Sequence, residues 1–233
     1  MWNAGNAAGP LGWGAEVWCG GVVVAAQVMA LSFYLGARGR APRARGRIAP
    51  IPLVALAFAA AQFHLGVPAP EIAPALVTVL CGGIALVGAG GADVRREWFV
   101  AGIALGLLAW SALGVAPLGA PEAGTGVDAD FGLVFAALTG GAALAAHWPS
   151  LVAAFAEPGR EPPLPWFLWS ASHGAWVLFC IAAGMPWPFF AFPLVSQAAT
   201  FGIGLFALDG RPAEVREGRG ATRQGRARHL DRI

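Results

Sequence analysis

Four side chains between residues 170 and 180 carry the most suggestive chemistry in this chain. Ser170, His173, Trp176 and Cys180 follow one another at spacings of three, three and four, so on a helix they share one face. A flat indole beside an imidazole suits a small polar solute, which it can stack against and hydrogen-bond at the edge. Gln62 in the first half, with Ser196 and Gln197 in the second, adds amide and hydroxyl groups able to meet the same solute. The plainer alternative is that His173 bonds a neighbouring helix and Trp176 is packing, because interhelical hydrogen bonds are ordinary membrane glue. Catalysis by Ser170 or Ser172 with His173 is not expected: neighbouring helical residues point different ways, and no acid is near to orient the base. Counted along their spans, His64, His147 and His173 fall at unequal depths, so a haem held by two of them is not expected either. Cys19, Cys81 and Cys180 lack CxxC spacing and read as small core residues. No enzymatic activity, resident cofactor or metal site is expected.

The elements that must position these groups are apolar spans. The 233 residues are 57% hydrophobic and only 12% charged, with a mean hydropathy of +0.63; soluble domains carry roughly a quarter charged residues. An all-α integral membrane protein with seven crossings is expected, at about 15–35, 49–66, 70–89, 98–117, 131–155, 165–184 and 187–208. All 15 cationic residues are arginine, and the absence of lysine excludes Schiff-base chemistry of the microbial-rhodopsin kind. With the N-terminus outside, every arginine falls in a cytoplasmic segment: five in 36–48, two in 91–97, one in 156–164 and seven in the tail. The first 14 residues lack a basic stretch, which argues against a cleaved signal peptide; in the orientation set by the arginines they form a short external N-terminus. Residues 209–233, rich in Gly and Arg, read as a disordered, solvated cytoplasmic tail, with no nucleic-acid partner expected. Trp166, Trp169 and Trp187 are expected in the aromatic belts at the membrane surfaces. No Asp or Glu lies deep in a span, so facilitated diffusion fits better than carboxylate-based coupling.

An internal repeat organises the spans. Gly66-Val-Pro68-Ala-Pro70 recurs 118 residues on as Gly184-Met-Pro186-Trp-Pro188, and Ala73-Pro74-Ala-Leu76-Val77 is echoed by Phe192-Pro193-Leu194-Val195. Both copies link the second and third spans of a triplet. The expected arrangement is therefore 3+1+3: a first three-helix repeat at 15–89, a linker helix at 98–117 and a second repeat at 131–208, running parallel. Gln62 and Gln197 fall at roughly equivalent places in the two halves.

On these motifs the chain resembles the SWEET sugar transporters and the wider PQ-loop family. His147-Trp-Pro149-Ser-Leu-Val resembles the Pro-Gln-containing end of that family's first repeat helix. Pro165-Trp-Phe-Leu-Trp-Ser170, followed by Ala175-Trp176 and Phe179, resembles the segment with a Trp and a Tyr before an exposed Asp-Pro; Met185-Pro186 falls near that dipeptide. Ser150 stands where the family has glutamine, the first crossing has no proline, and Ser196, Gln197 and Thr200 stand nearest its pocket asparagine. The resemblance implies alternating access for a small polar solute such as a sugar, with Pro149 and Ser150 as a hinge in the fifth crossing. The lipid bilayer is the expected environment, at the bacterial inner (plasma) membrane, and homo-oligomerisation stays open. The alternative is a non-transporting membrane subunit or scaffold with a degenerate repeat.

Overall fold

A computed structural model describes residues 14–37, 48–67, 69–88, 129–159 and 161–209. These form six α-helices: α1 (Ala15–Gly36), α2 (Pro50–His64), α3 (Ala69–Gly88), α4 (Ala129–Ala156), α5 (Pro163–Ala182) and α6 (Ala191–Asp209), with a 3-10 turn at Trp187–Phe190 before α6. The expected linker crossing at 98–117, the N-terminal residues 1–13, the tail beyond 209 and all 15 arginines lie outside the described residues. Among the described residues, four stretches are long and apolar enough to cross a membrane: Ala15–Gly36, Gly132–Ala156, Pro163–Ala182 and Trp187–Leu208. Pro50–His64 and Ala69–Ala85 are apolar but shorter; at 1.5 Å per residue, α2 covers about 22 Å against a hydrocarbon core of about 30 Å.

Helix boundaries follow from proline and glycine. Helix α5 begins at Pro163, two residues before its expected start, because first-turn N–H groups have no intrahelical partner and a proline there loses nothing. Pro50 opens α2 in the same way. Both helices end alike. Gly66 and Gly184 take φ of 76° and 66°, the left-handed conformation that closes a helix. Val67 N–H reaches Gln62 O at 3.0 Å and Gly66 N–H reaches Phe63 O at 3.0 Å. Met185 N–H reaches Cys180 O at 2.9 Å and Gly184 N–H reaches Ile181 O at 3.1 Å. These are two Schellman closures with one hydrogen-bond pattern, 118 positions apart. After the second, Pro186 and Pro188 turn the chain through the 3-10 segment, so the expected seventh crossing becomes a short turn followed by a helix.

The six helices close into a ring. Helix α3 packs between α1 and α2, and α6 between α4 and α5; α1 packs on α5, and α2 on α4. Exchanging α1 with α4, α2 with α5 and α3 with α6 leaves this set of neighbours unchanged. Burial repeats in the same way. In α2 and α5, positions 51, 52, 54, 55, 58, 61 and 62 are buried, and so is each position 118 further on. In α3 and α6, positions 74, 75, 78, 81, 82 and 85 behave identically at that offset. In α1 and α4 the buried set 23, 26, 27, 30, 31 and 34 recurs at an offset of 116.

The surface is inverted relative to a water-soluble bundle. Val22, Met29 and Phe33 on α1, Leu133 and Phe155 on α4, Leu178 on α5 and Phe201 on α6 are exposed, whereas Gln27, Gln62, Thr78, Thr139, His147, Ser172 and His173 are buried. Lipid rewards that inversion and water does not, so these helices are compatible with an integral membrane protein.

Candidate functional site

Ring packing divides the interior into two zones. Toward the Gly66/Gly184 end, aromatic side chains fill the centre: Phe58 stacks on Phe192 at 4.6 Å between ring centroids, with planes 9° apart. Trp176 packs on Phe58 at 6.0 Å and on Phe192 at 5.6 Å, and Phe135 meets Phe189 edge-on at 5.2 Å. Phe58 and Trp176, which pack together here, are 118 positions apart.

Below this layer lies a cavity of about 20 Å³, room for about one water molecule. Ile48, Ile51 and Gly82 line it, and so do Trp166, Trp169 and Thr200, which stand 118 positions after each of them in turn. Gln27, Thr78, His147 and His173 complete the wall.

Its polar groups come from five helices. On the α1/α3 side, Gln27 Nε2 donates to Thr78 Oγ1 at 3.2 Å, and Thr78 Oγ1 donates to Pro74 O at 3.0 Å. On the other side, Thr200 Oγ1 donates to Ser196 O at 2.7 Å. His147 and His173 face each other with ring centroids 6.2 Å apart and planes at 84°. Each ring holds the carbonyl four residues back through Nδ1: His147 with Ala143 O and His173 with Trp169 O, both at 2.8 Å. A carbonyl only accepts, so in both rings Nδ1 carries the proton, and in the neutral ring Nε2 then keeps its lone pair. Both Nε2 atoms are buried without a hydrogen-bond partner, as is Trp166 Nε1 on the same wall.

The structure distributes the sequence-derived candidates unevenly. His173 lines the cavity. Trp176 is fully buried in the aromatic layer next to it, stacked on His173 at 6.1 Å, and does not line the cavity. Gln62 is fully buried near the end of α2, with neither side-chain amide atom bonded, also away from the cavity. Gln197 is partly exposed and its amide lies over Gly174, where an added Cβ would come 2.8 Å from Nε2. In the 118-residue register the counterpart of Gln62 is Cys180, and Gln197 faces elsewhere, so the two glutamines do not form an equivalent pair. Ser170 donates to Gln197 O at 3.2 Å and joins α5 to α6, while Ser196 is buried with its hydroxyl unbonded. Ser172 donates to Val23 O at 3.2 Å and ties α5 to α1, a cementing role rather than a catalytic one. Pro149 lies inside α4 two residues beyond His147, and Ser150 is buried beside it.

Two expectations change. Trp166 and Trp169 are 1% and 7% exposed and line the cavity, with Trp169 against Tyr34 of α1 at 5.4 Å; only Trp187 of the three is exposed. The start of α5 faces the ring's interior, so its tryptophans cannot reach a membrane surface. His147 and His173 also prove to be level. His147 lies nine residues before the end of α4 and His173 ten after the start of α5, each about 14–15 Å from the shared link. Among the described residues, no three His, Cys, Asp or Glu side chains come together as metal ligands.

Family models, curated proteins and solved structures were each compared with the chain, and none matches.

Proposed function

We propose that this chain is a SWEET/PQ-loop-like transporter of a small polar solute, working by alternating access between two helix triplets duplicated in parallel. One observation carries the reading: the cavity is walled by three pairs of residues at a single 118-residue offset, Ile48/Trp166, Ile51/Trp169 and Gly82/Thr200. Such a gathering is what a point on the axis between two duplicated halves would give, and transporters built from repeats bind their substrates there. The shared neighbour pattern of the triplets and their twin Schellman closures support the duplication.

In this reading the layer of Phe58, Trp176 and Phe192 is the closed gate at the Gly66/Gly184 end, the outer one if arginine placement sets the orientation. His173 reaches both the gate, through its stack on Trp176, and the cavity. Pro149 removes one backbone hydrogen bond from α4, and a bend there carries His147 toward or away from His173.

A second reading, a non-transporting membrane subunit, draws on the tight packing around Trp176 and the small cavity. Purified chain in liposomes, screened for uptake of sugars, amino acids and other small neutral solutes, separates the two. Transport predicts saturable uptake of at least one solute, lost in Trp176→Ala but retained in Phe155→Ala on the outer surface. Absence of uptake across the screen refutes the transport reading and leaves the subunit.

A further inference from the structure

We infer that the His147–His173 pair forms a locked double hydrogen-bond acceptor which, with the Trp166 indole N–H, binds an uncharged solute giving two hydrogen bonds and taking one. The inference rests on the transport reading for its place in a mechanism, and on the cavity alone for its chemistry. Both rings are held by Nδ1–H to the carbonyl one helical turn back, which fixes the tautomer and leaves both Nε2 lone pairs directed away from their own helices. Those two acceptors and the Trp166 Nε1 donor are buried without partners, on three residues that line one cavity. A buried polar atom left unpaired is costly, so three around one space define what belongs there: donor, donor, acceptor. A single water meets that pattern and fits the volume at rest. A primary amide, a urea or a vicinal diol repeats it on a larger body once the helices part.

Charge on the ligand is disfavoured. Among the described residues the cavity wall holds no carboxylate, guanidinium or other formal charge; Gln27, Thr78 and Thr200 are neutral and already bonded within the protein. The remaining described titratable side chains on the packed helices do not line it: Glu16, Cys19 and Tyr34 on α1, His64 on α2, Glu71 and Cys81 on α3, and Cys180 on α5. A cation entering here would leave water without a counter-charge, and an anion would meet lone pairs. No third ligand joins the two imidazoles to make a metal centre among the described residues.

Nitrogen-15 NMR of histidine-labelled full-length protein in lipid bilayers tests this directly. The chain has four histidines, and a His64→Gln/His229→Gln variant keeps only the cavity pair. Both rings are expected to show protonated Nδ1 and bare Nε2 at neutral pH. Urea and glycerol, as the amide and diol probes, are applied separately with methylammonium as the cationic control. At least one neutral probe is expected to shift both Nε2 signals saturably, and methylammonium neither. His147→Leu, which places there the residue found at the α1 counterpart Leu31, should weaken that probe about tenfold, and Trp166→Phe by a similar factor. Which probe responds tells amide from diol. A proton on either Nε2, a response to methylammonium alone, or no response to either neutral probe overturns the inference. Binding without uptake in liposomes would instead sink the transport reading and leave this site standing. Uptake unaffected by His147→Leu or Trp166→Phe would do the reverse.

Discussion

Alanine at Gly66 or at Gly184 should destabilise the protein by equal amounts, although the two positions are 118 residues apart. At both, a Cβ built on the backbone meets no atom within 4 Å, so steric crowding contributes nothing. What remains is backbone conformation. The φ values of 76° and 66° place a Cβ-bearing residue in the left-handed region at a cost of about 1–2 kcal/mol, a factor of about 5–30 in the folding equilibrium. Gly21 in α1 and Gly141 in α4 have equally open surroundings but sit within helices. There the same substitution should stabilise by about 0.5–1 kcal/mol, because alanine loses less backbone freedom on folding. Four chemically identical changes in equally open space thus split in sign by φ alone. Asparagine at 66 and 184 should recover much of the loss, since it visits the left-handed region readily. Equilibrium unfolding in mixed micelles, followed by far-ultraviolet circular dichroism, measures all six variants. A neutral or stabilising Gly66→Ala or Gly184→Ala refutes the paired closures; one costly and one neutral result refutes their equivalence.

Gly204→Ala drives a methyl group to 2.9 Å from the Phe167 ring and should cost about 1–3 kcal/mol in the same assay. Gly174→Ala should cost clearly less, because it meets only the mobile end of Gln197. Trp176→Ala empties the centre of the aromatic layer and should lower stability by about 3–5 kcal/mol, seen as a shifted unfolding midpoint. In bilayers of brominated lipid, the exposed Trp148 and Trp187 should be quenched and the buried Trp166 should not. Trp148→Phe should therefore remove part of the quenchable fluorescence, and Trp166→Phe should leave that part unchanged.

What the sequence made legible depended on how local the physics was. The helices around Gln27, Gln62, His147 and His173 were readable from apolar run length, and the Gly-Val-Pro-Ala-Pro and Gly-Met-Pro-Trp-Pro links marked the two matching closures. Which polar residues meet was less accessible. A helical face read from spacing gives direction within one helix but not which neighbour lies opposite: Ser170 shares a face with His173 by spacing, yet bonds across to α6. Depth counted from separate span ends hides the pairing of His147 with His173. Counting both helices from their common link at 157–162 puts the two histidines level. Trp166 and Trp169 carried a belt-like signature, aromatic residues next to prolines at a helix start; only the packing of α5 on α1 turns them inward.

The cavity is symmetric in position but not in chemistry, and that bears on what it holds. Its wall pairs Ile48 with Trp166, Ile51 with Trp169 and Gly82 with Thr200. At the counterparts of the polar liners, Gln27 corresponds to Ala143, His147 to Leu31 and His173 to Ala55. Only Thr78 has a hydroxyl counterpart, Ser196, whose oxygen is buried without a partner. A bundle held together for packing alone has no use for two facing imidazoles with unused lone pairs, each of which lowers its stability. Two equivalent ligands would in turn require the polar groups to repeat, and they do not. One ligand per chain, with chemically different ends, fits both facts. Titration of the responsive neutral probe should accordingly saturate at one molecule per chain, and a stoichiometry of two would show that the halves bind independently.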